Sequence, residues 1–285
     1  MNRLSVLALI GSAASLAGCG GLRSRIANRM HACPAEMLPP SAPPISISDY
    51  LVPTSHVSGG IKIAVAATSP SPQRVIFALP GRGGDARSGL EATYIPQYIS
   101  LYAQKAGRSF AAVGVDGAES YWHARKSGED RLSALLDDVV PFVRRVLGQS
   151  YPRFGIIGFS MGGFGALNAA SERPDLFDAV CGNSAAYWKV PSDQQHSVPD
   201  AFEGTADFER YSLFNKTKAL RHTRVRLVSG AHDPYEAVNQ EFARELQKQG
   251  IPVSTHWGNG CHDNASSQQT AAEDIAFVLG VKNGS

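Results

Sequence analysis

Apolar residues recur along the chain in two rhythms. Short runs at Arg74–Leu79, Phe110–Val115, Phe154–Ile157, Phe177–Cys181, Arg224–Gly230 and Val253–Trp257 are too brief for helices and predict buried strands. Two more strands are predicted upstream, near Ile45–Val52 and Gly60–Ala67, where Ile61, Ile63 and Val65 alternate as on a half-buried face. Helical spacing fills the intervals. It runs from about Ile95 to Ala106, closed by Gly107, and then through Leu132, Leu135, Leu136, Val139, Val143 and Val146, with Pro141 kinking or restarting that helix. Small residues after Ser160 (Gly165, Ala166, Ala169, Ala170) open another helix. Val238, Phe242 and Leu246 lead to a glycine stop at Gly250, and Ala271–Leu279 closes the chain. Strands alternating with helices predict an α/β fold, a mostly parallel sheet covered by helices on both faces.

The rhythm breaks between Asn183 and about His222. Tyr187, Trp188, Phe202, Phe208, Tyr211 and Phe214 stand there among polar residues, as expected of either a cap over a site or a packed surface insertion. The chain start differs again. A basic Met1-Asn-Arg3, an apolar Leu4–Leu16 and small residues predict an export signal over 1–18, too short and glycine-ended to span a membrane. Residues 19–44, rich in Ser, Pro, Arg and Ala, are predicted to form a tether, leaving 45–285 as one domain with a possible cap at 183–222.

Composition adds exclusions. With 285 residues, 43% hydrophobic and a formal net charge of +2, the chain suits a large α/β domain and lacks the dense basic run that nucleic acid would require. Besides Cys19 there are Cys33, Cys181 and Cys261, which permit one disulfide and one spare thiol, or none. Their spacing does not suggest zinc, and no metal or other cofactor is expected.

The candidate chemistry centres on Gly158-Phe-Ser160-Met-Gly162, at the junction of a predicted strand and helix. Gly-x-Ser-x-Gly in that position is a nucleophile elbow, a strained turn that holds the serine hydroxyl clear of the sheet. Serine needs a base to take its proton, and the base needs an acid to orient it; in this architecture they follow in the order acid, then histidine. Asp233 follows the strand Arg224–Gly230 and His262 follows Val253–Trp257, so one strand-helix-strand unit carries both to the elbow's edge of the sheet. Glu236 is a weaker candidate acid because it lies a turn into the next helix. His232 adjoins the acid, His256 lies inside a strand, and His31 and His56 precede the core of the sheet. A metal cluster of Cys261, His262, Asp263 and His256 has no second ligand group of known spacing to support it.

Stabilising a developing oxyanion takes two backbone N–H groups. Met161, directly after the serine, is predicted to supply one and the turn Pro80-Gly81-Arg82-Gly83-Gly84-Asp85 the other, by preference from Arg82, with Gly81 or Gly83 as alternatives. Gly81 permits the close turn beside the substrate. Tyr121, Trp122 and His123, after the strand Phe110–Val115, are candidates to line a substrate pocket, or equally to form an aromatic knot under a loop.

From about Arg74 to Leu279 the chain resembles the α/β-hydrolase superfamily, and within it the esterase group that includes esterase D, feruloyl esterases and bacterial mycolyltransferases. The resemblance rests on Gly-Phe-Ser160-Met-Gly-Gly, Gly81-Arg-Gly-Gly-Asp85, Gly230-Ala-His-Asp233 and Gly260-Cys-His262-Asp. It implies Ser160 as nucleophile, Asp233 as acid and His262 as base of a serine carboxylesterase acting on a small-molecule or lipid ester. An envelope acyltransferase that passes the acyl group to a sugar hydroxyl, a non-catalytic envelope-binding protein and a peptidase are the alternatives. Leu16-Ala17-Gly18-Cys19 resembles the bacterial lipobox, which implies an exported protein held at the cell envelope by lipid on Cys19. The competing reading is an ordinary secretory signal cut elsewhere.

Overall fold

The computed structural model describes residues 33–148 and 153–283. The expected signal segment, Cys19 and His31 lie outside the described residues. No helix among the described residues is long and apolar enough to cross a membrane.

Eight strands form one sheet: β1 (Ile47–Val52), β2 (Ile61–Ala67), β3 (Arg74–Leu79), β4 (Phe110–Val115), β5 (Phe154–Phe159), β6 (Phe177–Asn183), β7 (Arg224–Gly230) and β8 (Val253–Gly258). Their spatial order is β1-β2-β4-β3-β5-β6-β7-β8. β1–β2 and β2–β4 pair antiparallel, and every pairing from β4 to β8 is parallel. Parallel strands need crossovers, which the helices α1 (Ser88–Glu91), α2 (Ile95–Ala106), α3 (residues 131–146), α4 (Met161–Glu172) and α7 (Glu236–Lys248) provide, and α8 (Asn264–Leu279) follows the last strand. The segment between β6 and β7 carries two short α-helices, α5 (Pro191–Ser197) and α6 (Thr205–Tyr211), and two 3-10 helices, Leu213–Asn215 and Thr217–His222.

Each face of the sheet has its own core. Val75, Phe77 and Ile156 meet Val139 of α3, Phe164 and Leu167 of α4 and Phe242 of α7 on one side. Ile76, Ala78 and Ile157 meet Ile99 of α2 and Ile275 of α8 on the other. At roughly 25 cal/mol per Å² of apolar surface removed from water, these two layers dominate the stability of the domain. Pro141 leaves a visible mark on α3. The turn before it, Ala134–Val139, is π-wound, a wider winding that accommodates a residue with no N–H to donate and a ring that crowds the preceding turn.

Residues 33–44, the described part of the expected tether 19–44, are docked on the domain. They carry no helix or strand, yet they lie along α2 and α8 as a strap. The Met37 amide donates to Gln268 Oε1 at 2.9 Å, Tyr94 Oη donates to the Met37 carbonyl at 2.8 Å and Ser100 Oγ donates to the Pro43 carbonyl at 2.8 Å. A Cys33–Cys261 disulfide anchors its start. Cys181 remains a buried thiol whose surroundings push its pKa up by desolvation. The strap is held because its backbone groups find side-chain partners on two helices; proline content alone does not reveal that.

Candidate active site

Ser160 sits between β5 and α4 at φ 54° and ψ −119°, a conformation that L-residues rarely adopt. Three backbone bonds hold it there. Its N–H donates to the Asn183 carbonyl at 3.0 Å, and its own carbonyl accepts from Ala186 at 2.9 Å and Phe164 at 3.1 Å. The flanking glycines are required by contact. A Cβ on Gly158 would lie 2.0 Å from the Gly162 carbonyl oxygen, and one on Gly162 would lie 2.1 Å from the Leu79 carbonyl oxygen.

Asp233 and His262 reach the serine from neighbouring loops. His262 Nε2 is 2.8 Å from Ser160 Oγ, and His262 Nδ1 is 3.0 Å from Asp233 Oδ2. The loops are laced together, with Ala231 donating to Gly258 and His232 to Gly260, both at 2.9 Å. Gly230 makes this approach possible, since a Cβ there would come within 2.3 Å of the Gly260 backbone. Burial opposes ionisation of Asp233. The His262 charge, hydrogen bonds from His262 and Ser184, and the Tyr235 amide outweigh it and hold the carboxyl below its ordinary value. Two rings that the motif does not mark flank the imidazole: Phe159 at 5.0 Å and Tyr235 at 5.1 Å between centroids. Asp263 then caps α8 through the Ser266 amide at 2.8 Å, which fixes the far side of the histidine turn.

Glu236 begins α7, where its carboxylate accepts from Gln240, and His256 stays within β8. His56 lies in the β1–β2 loop, 3.7 Å from Asp137 of α3, and makes no contact with Ser160, Asp233 or His262. The thiol of Cys261, drawn into the imagined metal cluster, is consumed by the disulfide to Cys33.

The amides of Met161 and Arg82 have no acceptor among the described residues. Gly81 lies against the serine: a Cβ on it would stand 3.6 Å from Ser160 Cβ. The Arg82 side chain reaches away from the turn, donating to Glu119 after β4 at 2.7 Å and pairing with Asp200 of the segment between β6 and β7. Its neighbour Gly83 donates to the Ala118 carbonyl at 3.1 Å. The turn is therefore fastened on two sides.

Tyr121, Trp122 and His123 do not line the pocket. All three are buried, at 1%, 0% and 0% exposure, which corrects the pocket-lining expectation in favour of the knot. Trp122 lies on α4, where a Cβ on Gly165 would come within 2.3 Å of its ring. Tyr121 packs beside Trp188 and Phe202, and His123 stacks on Phe202 at 5.0 Å. Desolvation holds the His123 pKa below its ordinary value. The segment 183–222 provides the other half of this knot through Trp188 and Phe202.

Comparison with known proteins places the fold and the family. The sequence profile of the family described as "Putative esterase" matches residues 96–274. No curated protein sequence matches. Among solved structures, a ferulic acid esterase superposes with a TM-score of 0.69 at 16% identity, over 84% of this chain and 100% of its own. The fluorophosphonate-binding serine hydrolase F of Staphylococcus aureus gives 0.67 at 20% identity, over 83% and 99%. The S-formylglutathione hydrolase of the same organism gives 0.66 at 19% identity, over 82% and 99%. These structural likenesses establish the α/β-hydrolase fold, and the profile, covering more than half of the sequence, shows that the chain belongs to this esterase family and is an esterase-type hydrolase.

Proposed function

We propose that the protein is a serine carboxylesterase that works through an acyl-enzyme on Ser160. The observation that carries this reading is the continuous line Ser160 Oγ–His262 Nε2, His262 Nδ1–Asp233 Oδ2, at 2.8 and 3.0 Å. His262 takes the serine proton as Oγ attacks the ester carbonyl, then gives it to the departing alcohol oxygen. Asp233, held ionised, keeps the imidazole in the tautomer with its proton on Nδ1 and steadies the imidazolium that forms. The Met161 and Arg82 amides receive the oxyanion, and water releases the acyl group by the same steps in reverse order.

Reaction of the full chain with a fluorophosphonate probe and mapping of the adduct test this reading. Labelling of Ser160, with turnover of p-nitrophenyl acetate lost in Ser160→Ala and His262→Ala, is the expected result. Turnover that survives either substitution contradicts it. A sugar acceptor that diverts the acyl group from water would turn the reading toward acyl transfer.

Export and a lipid on Cys19 complete the proposal. The lipobox-like Leu16-Ala-Gly-Cys19 motivates it, and the Cys33–Cys261 disulfide suits an oxidising compartment. Metabolic labelling with a fatty acid, abolished by Cys19→Ala, is the expected outcome; soluble, unlabelled protein would contradict it.

A further inference from the structure

Behind the Ser160–His262 pair lies a cavity of about 360 Å³, walled by the ends of β3 and β5, by α1, by the α1–α2 junction and by the first turns of α8. It is one ring away from the reacting atoms. Phe159 and Gly81 both line it; the Phe159 ring stands 5.0 Å from the His262 ring, and a Cβ on Gly81 would stand 3.1 Å from the Phe159 ring. Its walls are mostly carbon, from Leu79, Pro80, Ile95, Ile157 and Ala271.

Ionisable groups do not reach into it unpaired. Arg82 and Asp274 are the ionisable residues of the lining, and both are engaged elsewhere. Arg82 is taken by Glu119 and Asp200. Asp274 binds Arg226 at 2.6 Å, Asn183 at 2.9 Å and Thr270 at 2.8 Å. The interior thus offers no charge to pair with a charged ligand, and burying an unpaired charge there would be unfavourable.

The outer wall is deliberately built. Tyr94, at the α1–α2 junction, holds φ 57° and ψ 34°, left-handed backbone that a bulky residue seldom adopts. Its hydroxyl is tied to the strap through Met37, and Gln268 of α8 joins the strap to the Ala92 carbonyl at the cavity mouth. Strap, junction and α8 make one frame around the opening, and the Cys33–Cys261 disulfide fastens that frame next to His262.

We propose that this cavity is the subsite for one uncharged, apolar arm of the ester, an alkyl chain or a single ring. At about 30 Å³ for each water-sized group, it takes on the order of ten non-hydrogen atoms. This deepens the serine-esterase reading and rests on it for the substrate's identity, while the cavity's affinity for an apolar group can be measured separately. The same hydrocarbon chemistry can come from the acyl or the alcohol side, and the test separates them.

Ala92 and Thr93, half-buried at the mouth, are replaced one at a time by Phe. Two substrate series are compared, p-nitrophenyl esters from acetate to decanoate, and acetates of alcohols from ethanol to octanol. Burial of each methylene is worth about fourfold in kcat/KM. In the native protein one series should climb by about that factor until the cavity is full, and Ala92→Phe and Thr93→Phe should each lower the long-to-short ratio at least tenfold. The series that flattens names the arm. Octanoate and octan-1-ol are also titrated into Ser160→Ala, with binding of at least one expected to weaken tenfold on filling. Unchanged ratios in both series, with unchanged binding of both ligands, overturn the proposal. Absence of native turnover, with binding that the Phe variants still abolish, would instead overturn the esterase reading and leave the apolar subsite in place.

Discussion

Two loops leave the same carboxyl edge of the sheet and end differently. The loop after β3, Pro80–Asp85, brings Gly81 against Ser160, while the loop after β4 folds Tyr121, Trp122 and His123 into the interior. Both carry residues suited to a pocket, so position at the edge does not decide between them. Side-chain bulk does. Gly81 lets the first loop approach Ser160 closely, whereas Tyr121 and Trp122 gain most by leaving water, each worth about 1.5–3 kcal/mol when fully buried, with His123 stacked on Phe202 beside them. The second loop accepts strain in return, since Ala118, Tyr121 and Trp122 all have positive φ.

The comparison implies opposite mutational signatures. Ser160→Ala or His262→Ala should reduce kcat/KM by about 10⁴-fold or more, and Ser160→Ala should do so with little change in thermal unfolding, as read by ester hydrolysis and calorimetry. Trp122→Ala should do the reverse, lowering stability by about 3–5 kcal/mol in denaturant titration while the folded fraction keeps its turnover. A catalytic loss in Trp122→Ala that outruns its unfolding would return the second loop to the site. Gly230→Ala should separate the Asp233 and His262 loops and lower kcat about 10²-fold, since displacement by an ångström is enough for that. Glu119→Gln combined with Asp200→Asn should release the turn that carries the Arg82 amide. A fall in kcat on the order of fivefold is expected, matching ~1 kcal/mol for a largely exposed ion-pair network, with KM little changed.

The smallest effect is on acid stability. The folded-state pKa of Asp233 lies below its ordinary 3.8, so the stability it contributes is present above that value and is lost as pH falls through the folded pKa. Denaturant titrations from pH 6 to pH 2 should therefore show a steeper acid loss in the native protein than in Asp233→Asn. Parallel curves would contradict this.

Much of this division is legible in the sequence, for physical reasons. Gly158 and Gly162 announce the elbow because no other residue fits the contacts they make, and the strand runs announce a sheet buried on both sides. Loop destinations are less legible. Tyr121-Trp-His123 reads equally well as pocket or knot, because only the partners Trp188, Phe202 and Gly165, distant in sequence, decide which. The strap was hidden for the same reason. Nothing local to residues 33–44 indicates that Gln268, Tyr94 and Cys261 await them. Phe159 and Tyr235 could have been suspected as neighbours of the histidine, since one adjoins the nucleophile and the other follows the acid by two residues. The cavity behind them depends on helix packing and leaves no motif.

The central claim is that Ser160 carries the acyl group. Rapid-quench mass spectrometry of the enzyme mixed with p-nitrophenyl butanoate measures this directly. The account predicts a transient gain of one butanoyl group on the peptide containing Ser160, formed with the burst of p-nitrophenol and absent from Ser160→Ala. Steady hydrolysis by Ser160→Ala, or an acyl group mapped to another residue, would contradict it.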